Sequence, residues 1–317
     1  MKKRIPIFLL THDRPYLLRE VLDRILKYTD WSLFELCILD NSSTKSNKRI
    51  IEAYLEQYKD VKVVCSEINN ASLIQNKAIQ ENSSDLYIKL DDDILVTENW
   101  FKGFLDVYDR NYEQMSIGSV IMPINGFGWV PFLRIMGKEN EFKKKFPDIN
   151  LIQGCTEPAV WSNNEVCGYI WEQCLDLDET ARDFVFNQNN KFEDLVIPGR
   201  YSIGSIVYSH KTWEKMGGWR VTTSVGSKVN CYKSLQRVNN FIAKLRDKKE
   251  QKRVQSFINL LTGIKKYSIG EDEVFIHHFS EENDLKQIAT TQSLVYHLAF
   301  WPTEEYIVKK FLLRIKF

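Results

Sequence analysis

The sequence predicts an α/β protein built on a mostly parallel sheet with helices on both faces. Three observations predict it. Short apolar runs of strand length alternate with stretches of helical periodicity through residues 5–105. Three of those runs end in polar clusters, THDR at 11–14, DNSST at 40–44 and DDD at 91–93. The composition over 317 residues, 44% hydrophobic and 27% charged, is that of a soluble globular chain long enough to bury a large core.

Residues 5–10 form the first strand. The apolar run is broken at once by Thr11-His12-Asp13-Arg14, so MKKRIPIFLL is expected to be a strand rather than a signal peptide. Asp13 and Pro15 open a helix, because proline costs nothing in a first turn, and Leu18, Val21, Leu22 and Ile25 follow helical spacing. Residues 33–39 form the second strand. The next helix carries Ile50, Ile51, Tyr54, Leu55 and Tyr58 on one side. Residues 61–65, 73–79 and 86–90 read as strand, helix and strand. After the acidic triplet, Thr97 is placed to cap a helix bearing Trp100, Phe101, Phe104 and Leu105. Residues 125–200, with GFGW, PAVW and GYIW, show no clear period and are read as loops and short strands.

Charge and cysteine usage narrow the function. The 43 basic and 42 acidic side chains nearly cancel, which argues against a whole-chain nucleic-acid binder. The six cysteines show no CxxC spacing; a reducing, cytoplasmic setting is a simpler expectation than a zinc cluster from Cys155, Cys167 and Cys174. No run approaches the roughly 18 apolar residues that span a bilayer. Residues 228–266 hold eleven Lys/Arg against two acidic residues, with Phe241, Leu245, Val254, Phe257 and Leu260 among them. That pattern predicts one or two basic amphipathic helices, a solvated surface by default and otherwise a lid or an anionic membrane contact.

The stretch YIKLDDDILV, residues 87–96, is the sharpest feature. Close carboxylates repel, and burying one without a partner is costly. In parallel sheets ligands bind beyond the carboxyl ends of the strands. The three polar clusters all fall there. Neither a glycine-rich dinucleotide fingerprint nor a GxxxxGK[ST] loop is present, so a diphosphate at this edge must be neutralised another way, which a carboxylate-held cation would do.

These residues resemble family-2-like glycosyltransferases with the GT-A fold. FLLTHDRPYLLREVLDRI is similar to the family's first strand, T-Y-N-R-P turn and helix, with Thr11, Arg14 and Pro15 matching. ELCILDNSST resembles the second strand and its V-D-N-G-S-T-like end. Gln75-Asn76-Lys77-Ala78-Ile79 looks like part of N-x-G-x-A-x-A-R-N-x-G-I, with Gln75 where the family has arginine. YIKLDDDILV falls on the D-x-D motif. SHKTWEKMGGW, 209–219, resembles R-x-x-F-E-K-L-G-G-F/W, and Ser268-Ile269-Gly270-Glu271-Asp272-Glu273 resembles G-E-D-x-D/E. Ser293-Leu294-Val295-Tyr296-His297-Leu298 is similar to a late histidine segment, with His277 and His278 as competitors.

The resemblance implies a GT-A-like, Rossmann-type fold: a nucleotide-sugar subdomain at 1–125 and an acceptor and catalytic-base subdomain at 126–317, with 228–266 inserted, all in one continuous domain. It implies donor contacts from Thr11, Arg14, Asp40, Asn76, Asp91 and Asp92. Mn2+ or Mg2+ would be held by Asp93, Asp91 and His297. Asp272 would be the general base of an inverting transfer, with Glu271 as the fallback. The expected donor is a nucleotide diphosphate sugar, UDP-sugar favoured, and the acceptor a glycan or lipid-linked hydroxyl in bacterial-type polysaccharide, glycolipid or glycoprotein glycan synthesis. A cytoplasmic protein touching the inner membrane face through 228–266 and the tail KKFLLRIKF fits that role. A sugar nucleotidyltransferase would need a basic glycine-rich loop after the first strand, which FLLTHDRP lacks. A non-catalytic binding module would not need Asp91, Asp93 and Asp272 together. A retaining transfer stays open, since anomeric outcome depends on geometry.

Overall fold

A computed structural model describes residues 3–154, 158–199, 201–221, 271–298 and 303–316. The chain divides into two units, 1–220 with 272–317 and 221–271, and the described fold belongs to the first. The basic stretch 228–266 lies outside the described residues.

The strands β1 (Ile5–Thr11), β2 (Phe34–Asn41), β3 (Lys62–Ser66) and β4 (Leu86–Asp91) alternate with helices α1 (Pro15–Tyr28), α2 (Lys45–Gln57) and α3 (Ala71–Glu81). These follow the predicted order. Next come β5 (Ile94–Leu95), α4 (Trp100–Asn111) and β6 (Met115–Ile121). Five helices follow: α5 (Trp129–Ile135), α6 (Glu139–Lys145), α7 (Ala159–Ser162), α8 (Asn164–Glu172) and α9 (Leu177–Gln188). The remaining described elements are β7 (Leu195–Ile197), β8 (Ser205–Ser209), α10 (His210–Lys215), α11 (Glu271–Glu282), β9 (Lys286–Leu294), β10 (Tyr296–His297) and α12 (Glu304–Phe311).

Eight strands form one sheet in the order β3-β2-β1-β4-β8-β6-β9-β7. The first four are parallel, β8 enters antiparallel between β4 and β6, β9 runs parallel to β6, and β7 is antiparallel to β9. This is the predicted mostly parallel α/β sheet, flanked by helices. Successive strand side chains point to opposite faces. Ile7 and Leu9 therefore join one apolar cluster with Leu18, Val21, Leu22 and Ile25, while Phe8 joins another with Leu39, Ile74, Ala78 and Tyr87. Each fully buried Leu, Ile, Val or Phe among them stabilises the fold by roughly 1.5–3 kcal/mol. A charge at Leu22 would break the packing of α1 on the sheet.

Two expectations need correction. Thr97 does not cap α4: the N-cap is Asn99, in the left-handed region at φ 58°, and Thr97 Oγ1 instead donates to the Leu294 carbonyl at 2.7 Å. The hydroxyl is buried, and it satisfies the Leu294 carbonyl rather than the helix start. Residues 125–200 are largely helical rather than loops and short strands, with β7 the one strand among the described residues there. Caps explain part of this, since Asn163 accepts from Val166 N and Asp176 from Glu179 N. Most of the segment's aromatics are core: Trp129, Phe132, Trp171 and Phe184 are buried in the larger cluster. A helix buried nearly all round shows little amphipathic period, which is why the sequence pattern misleads here.

Candidate active site at the carboxyl ends of the strands

The sheet register brings the predicted clusters together. Thr11 lies opposite Asp40, Leu10 opposite Asp91, and Asp40 opposite Cys65. Strands β1, β2 and β4 thus end side by side. Because β8 runs the other way, its entry faces the same edge, and Asp91 N donates to the Gly204 carbonyl at 2.8 Å.

The three carboxylates have three different surroundings. Asp92 is buried and accepts from Thr11 Oγ1 at 2.7 Å, His12 N at 3.2 Å and Arg14 Nη1 at 3.2 Å. Burial works to raise its pKa, and the raised value shows that these partners offset only part of that cost. Asp92 therefore holds the first turn against the acidic turn. Thr11 is spent on the same network, since it donates to Asp92 and accepts from Asn47 Nδ2 at 2.9 Å.

Asp93 lies 2.9 Å from Arg14 Nη1 and 3.4 Å from His297 Nε2, both through Oδ2. Burial favours its neutral form, but His297 and Arg14 outweigh burial and hold the carboxyl below its ordinary range. The same pairing acts on His297: burial pulls its pKa down, Asp93 pushes it up, and the net shift is upward. The two meet because β5 and β10 pair antiparallel, with His297 opposite Ile94 and Leu298 N donating to the Asp93 carbonyl at 3.0 Å. His277 and His278 instead lie beside Glu281.

Asp91 is the most solvent-accessible of the three, its side chain 29% exposed. Its Oδ1 lies 2.5 Å from Nζ of Lys89, whose side chain is 2% exposed and which also donates to the Ile203 carbonyl at 2.8 Å. Burial pushes the Asp91 carboxyl up to about 6, with Lys89 opposing and the charges of Asp93 and Asp272 adding. The field of Asp272 is therefore felt at Asp91. Asp272 sits in the first turn of α11 and its Oδ1 accepts from Glu273 N at 3.0 Å. For Glu271 the backbone starts that helix, and its side chain lies outside the described ones.

Asp40 is 5% exposed and accepts from Ser43 N at 2.8 Å. With Ser42, Lys48, Cys65, Ser66 and Lys77 it lines a cavity of about 580 Å³. Asn76 is not turned to that cavity. Its Oδ1 accepts from Trp213 Nε1 at 2.9 Å and Trp219 N at 2.8 Å, and its Nδ2 donates to the Trp219 carbonyl at 2.8 Å. It locks the turn in which Gly217 and Gly218 have φ of +71° and +84°. Lys89 and Glu304 are the site residues that the sequence reading missed. A lysine two places before a carboxylate in an apolar strand shares its face, so Lys89 had a signal; Glu304 had none.

A divalent cation, implied by the resemblance, fits part of this arrangement. Asp93 Oδ1 is buried with no hydrogen-bond partner. Its other oxygen stands 3.4 Å from an imidazole nitrogen, close to the separation of about 3 Å between adjacent ligands of one octahedral ion. Carboxylate oxygen suits Mn2+ or Mg2+, and an imidazole nitrogen beside it favours the transition metal of the two. Among the described residues no group of three or more His, Cys, Asp or Glu side chains is arranged to hold a metal. Asp91, held by Lys89, is the weaker candidate ligand.

Residues 7–161 match the profile described as Glycosyl transferase family 2. Over that stretch, just under half of the chain, the sequence is similar to glycosyl transferase family 2. The matched stretch contains Thr11, Arg14, Asp40 and the D-x-D carboxylates, while Asp272 and His297 lie beyond it. Among solved structures, TarS 1–349 of S. aureus in complex with UDP-GlcNAc is 19% identical over 38% of this chain and 34% of that one, with a TM-score of 0.33. The mannosyltransferase PcManGT from Pyrobaculum calidifontis, in complex with GDP-Man and Mn2+, is 10% identical over 82% of this chain and 70% of that one, with a TM-score of 0.41. The chain spans about a third of the length of the TarS 1–349 structures it matches. No curated protein matches it.

No described helix is long and apolar enough to cross a membrane. In the tail, Phe311 and Ile315 are buried, Arg314 pairs with Glu172 and Lys316 with Asp176, and Leu313 is 99% exposed. Phe311 and Ile315 thus belong to the core, while Leu313 and Lys316 stay exposed.

Proposed function

We propose that this chain is a metal-dependent glycosyltransferase that moves a sugar from a nucleoside diphosphate sugar to an acceptor hydroxyl with inversion. The observation that carries the proposal is the meeting of Asp93 with His297 beside Asp91, within the field of Asp272, at the strand ends. A UDP-sugar is the favoured donor, and glycan or lipid-linked acceptors of bacterial-type polysaccharide, glycolipid or glycoprotein glycan synthesis are the favoured partners.

Asp93 and His297 would hold Mn2+ or Mg2+, with donor phosphate oxygens as further ligands; bound there, the ion supplies charge that stabilises a leaving diphosphate. Asp40 presents a carboxylate to a ring N–H of the base in the cavity beside it. Asp91, with Lys89 neutralising one oxygen, suits a ribose hydroxyl better than a second metal bond. Asp272 takes the proton of the acceptor hydroxyl as its oxygen forms the new bond to the anomeric carbon. The bond from that carbon to the diphosphate oxygen breaks, and the nucleoside diphosphate leaves with its electron pair. A positioned base of this kind typically contributes 10²–10⁴-fold.

The test is a screen of nucleotide sugars for hydrolysis and transfer with Mn2+ or EDTA, on wild type, Asp93→Ala and Asp272→Asn. The proposal expects turnover only with metal, and a fall of about 10²–10⁴-fold in kcat for Asp272→Asn with nucleotide binding retained. EDTA-resistant turnover that survives Asp93→Ala would overturn the metal assignment. Full activity in Asp272→Asn would remove the base.

A further inference from the structure

Arg14 already occupies the oxygen of Asp93 that a cation would need. The side chain of this helix N-cap makes no capping bond; it reaches back to the acidic turn instead. Its Nη1 lies 3.2 Å from Asp92 Oδ1 and 2.9 Å from Asp93 Oδ2, and its Nε lies 3.6 Å from Glu304 Oε1. The oxygen it holds most tightly is thus the one facing His297. A guanidinium cannot lose its charge, so it cannot step aside by deprotonation as His297 can. A divalent cation between Asp93 and His297 must draw Oδ2 from the guanidinium, and like charges this close repel.

Glu304 lies ready to take up the difference. It stands at the start of α12, its side chain 29% exposed, and Tyr16 OH donates to its Oε1 at 2.7 Å. The contact of 3.6 Å to Arg14 Nε is long, leaving room to shorten. We infer that Arg14 is an internal stand-in cation on Asp93 and that Glu304 is the positioning carboxylate to which Arg14 is handed over when a divalent ion binds. The inference rests on the proposed metal site and adds two residues to its control. Glu304 does not touch the ion; it acts through Arg14. The family-matched stretch ends long before Glu304, so this pairing is read from the tertiary structure alone.

A double-mutant cycle tests it, using Mn2+ alone as the probe on the full chain. Free Mn2+ is read from its paramagnetic resonance signal for wild type, Arg14→Gln, Glu304→Gln and the double variant. The handover predicts tighter Mn2+ binding in Arg14→Gln, and binding about 3- to 5-fold weaker in Glu304→Gln, as suits a partly exposed ion pair. In the Arg14→Gln background, Glu304→Gln changes affinity less than about twofold, because its partner is gone. An equal Glu304→Gln effect in both backgrounds would mean that Glu304 acts on the ion through space, and would overturn the inference. So would unchanged or weaker binding in Arg14→Gln. Should Arg14→Gln fail to fold, Arg14→Lys replaces it: lysine keeps the charge and loses the fork, and the Glu304 effect shrinks with it. Wild type that binds no Mn2+ overturns the metal reading and the handover together. Binding abolished by Asp93→Ala but additive across the cycle overturns the handover alone.

Discussion

Lys89→Met isolates the electrostatics of the acidic turn. The ammonium of Lys89 lies 2.5 Å from Asp91 and 2.8 Å from the Ile203 carbonyl, in a side chain 2% exposed. Methionine keeps most of the volume, so packing is nearly preserved and the loss is chiefly that of charge and hydrogen bonds. Removing one partner of a buried pair costs about 3–5 kcal/mol. Asp91 is 29% exposed, and water relieves part of that, which leaves about 2–4 kcal/mol. The sign with pH follows from Asp91, whose carboxyl is pushed up to about 6 in the fold. The unfolded carboxyl titrates near about 3.9, so the native state binds the extra proton between those values. Stability attributable to Asp91 therefore falls as pH rises from about 4 to about 6. Without Lys89 the upper limit moves higher still. Urea unfolding should show a small loss for Lys89→Met at pH 5 and the full loss at pH 8. Lys89→Met/Asp91→Asn should recover most of it at pH 8, because no buried charge is left alone. Equal losses at both pH values, or a loss below about 0.5 kcal/mol at pH 8, would refute the reasoning.

Three further outcomes are expected. Asn76→Ala leaves Trp213 Nε1 and Trp219 N without their acceptor and should lower stability by about 2–4 kcal/mol in a thermal melt. Gly218→Ala puts a side chain at φ +84° with its Cβ 3.2 Å from Asn76 Oδ1, and should destabilise by about 1–2 kcal/mol, seen as a lower urea midpoint. The Asp93–His297 pair stabilises only while both are charged. His297, raised in the fold, contributes below its unfolded value near about 6.5 and loses this as pH climbs through its folded value; Asp93, lowered, contributes above about 3.9 and loses it as pH falls through its folded value. The melting difference between wild type and His297→Gln should peak between about pH 4 and 6.5, at about 1 kcal/mol, and shrink by pH 8.5.

Much of this was legible in the chain itself. Short, nearly continuous apolar runs such as 5–10 and 86–90 suit strands buried on both faces, and a parallel sheet carries its strand ends to one edge. Thr11, Asp40 and Asp91 could be expected there together for that reason alone. The residues 125–200 were illegible because helices such as α8, buried nearly all round, lose the polar face that periodicity detects. What each carboxylate does was equally hidden. Asp91, Asp92 and Asp93 are identical in sequence, and only their neighbours differ: Lys89 on one, Thr11 with the His12 backbone and Arg14 on the next, Arg14 with His297 on the third. That the acids stand at the carboxyl edge of the sheet was already set in the sequence, since it follows from local periodicity and chain order. Only the tertiary structure decided which acid is exposed, which is anchored and which meets His297 and the Arg14–Glu304 pair, because burial and long-range contacts set a charge's energy and no local pattern records them.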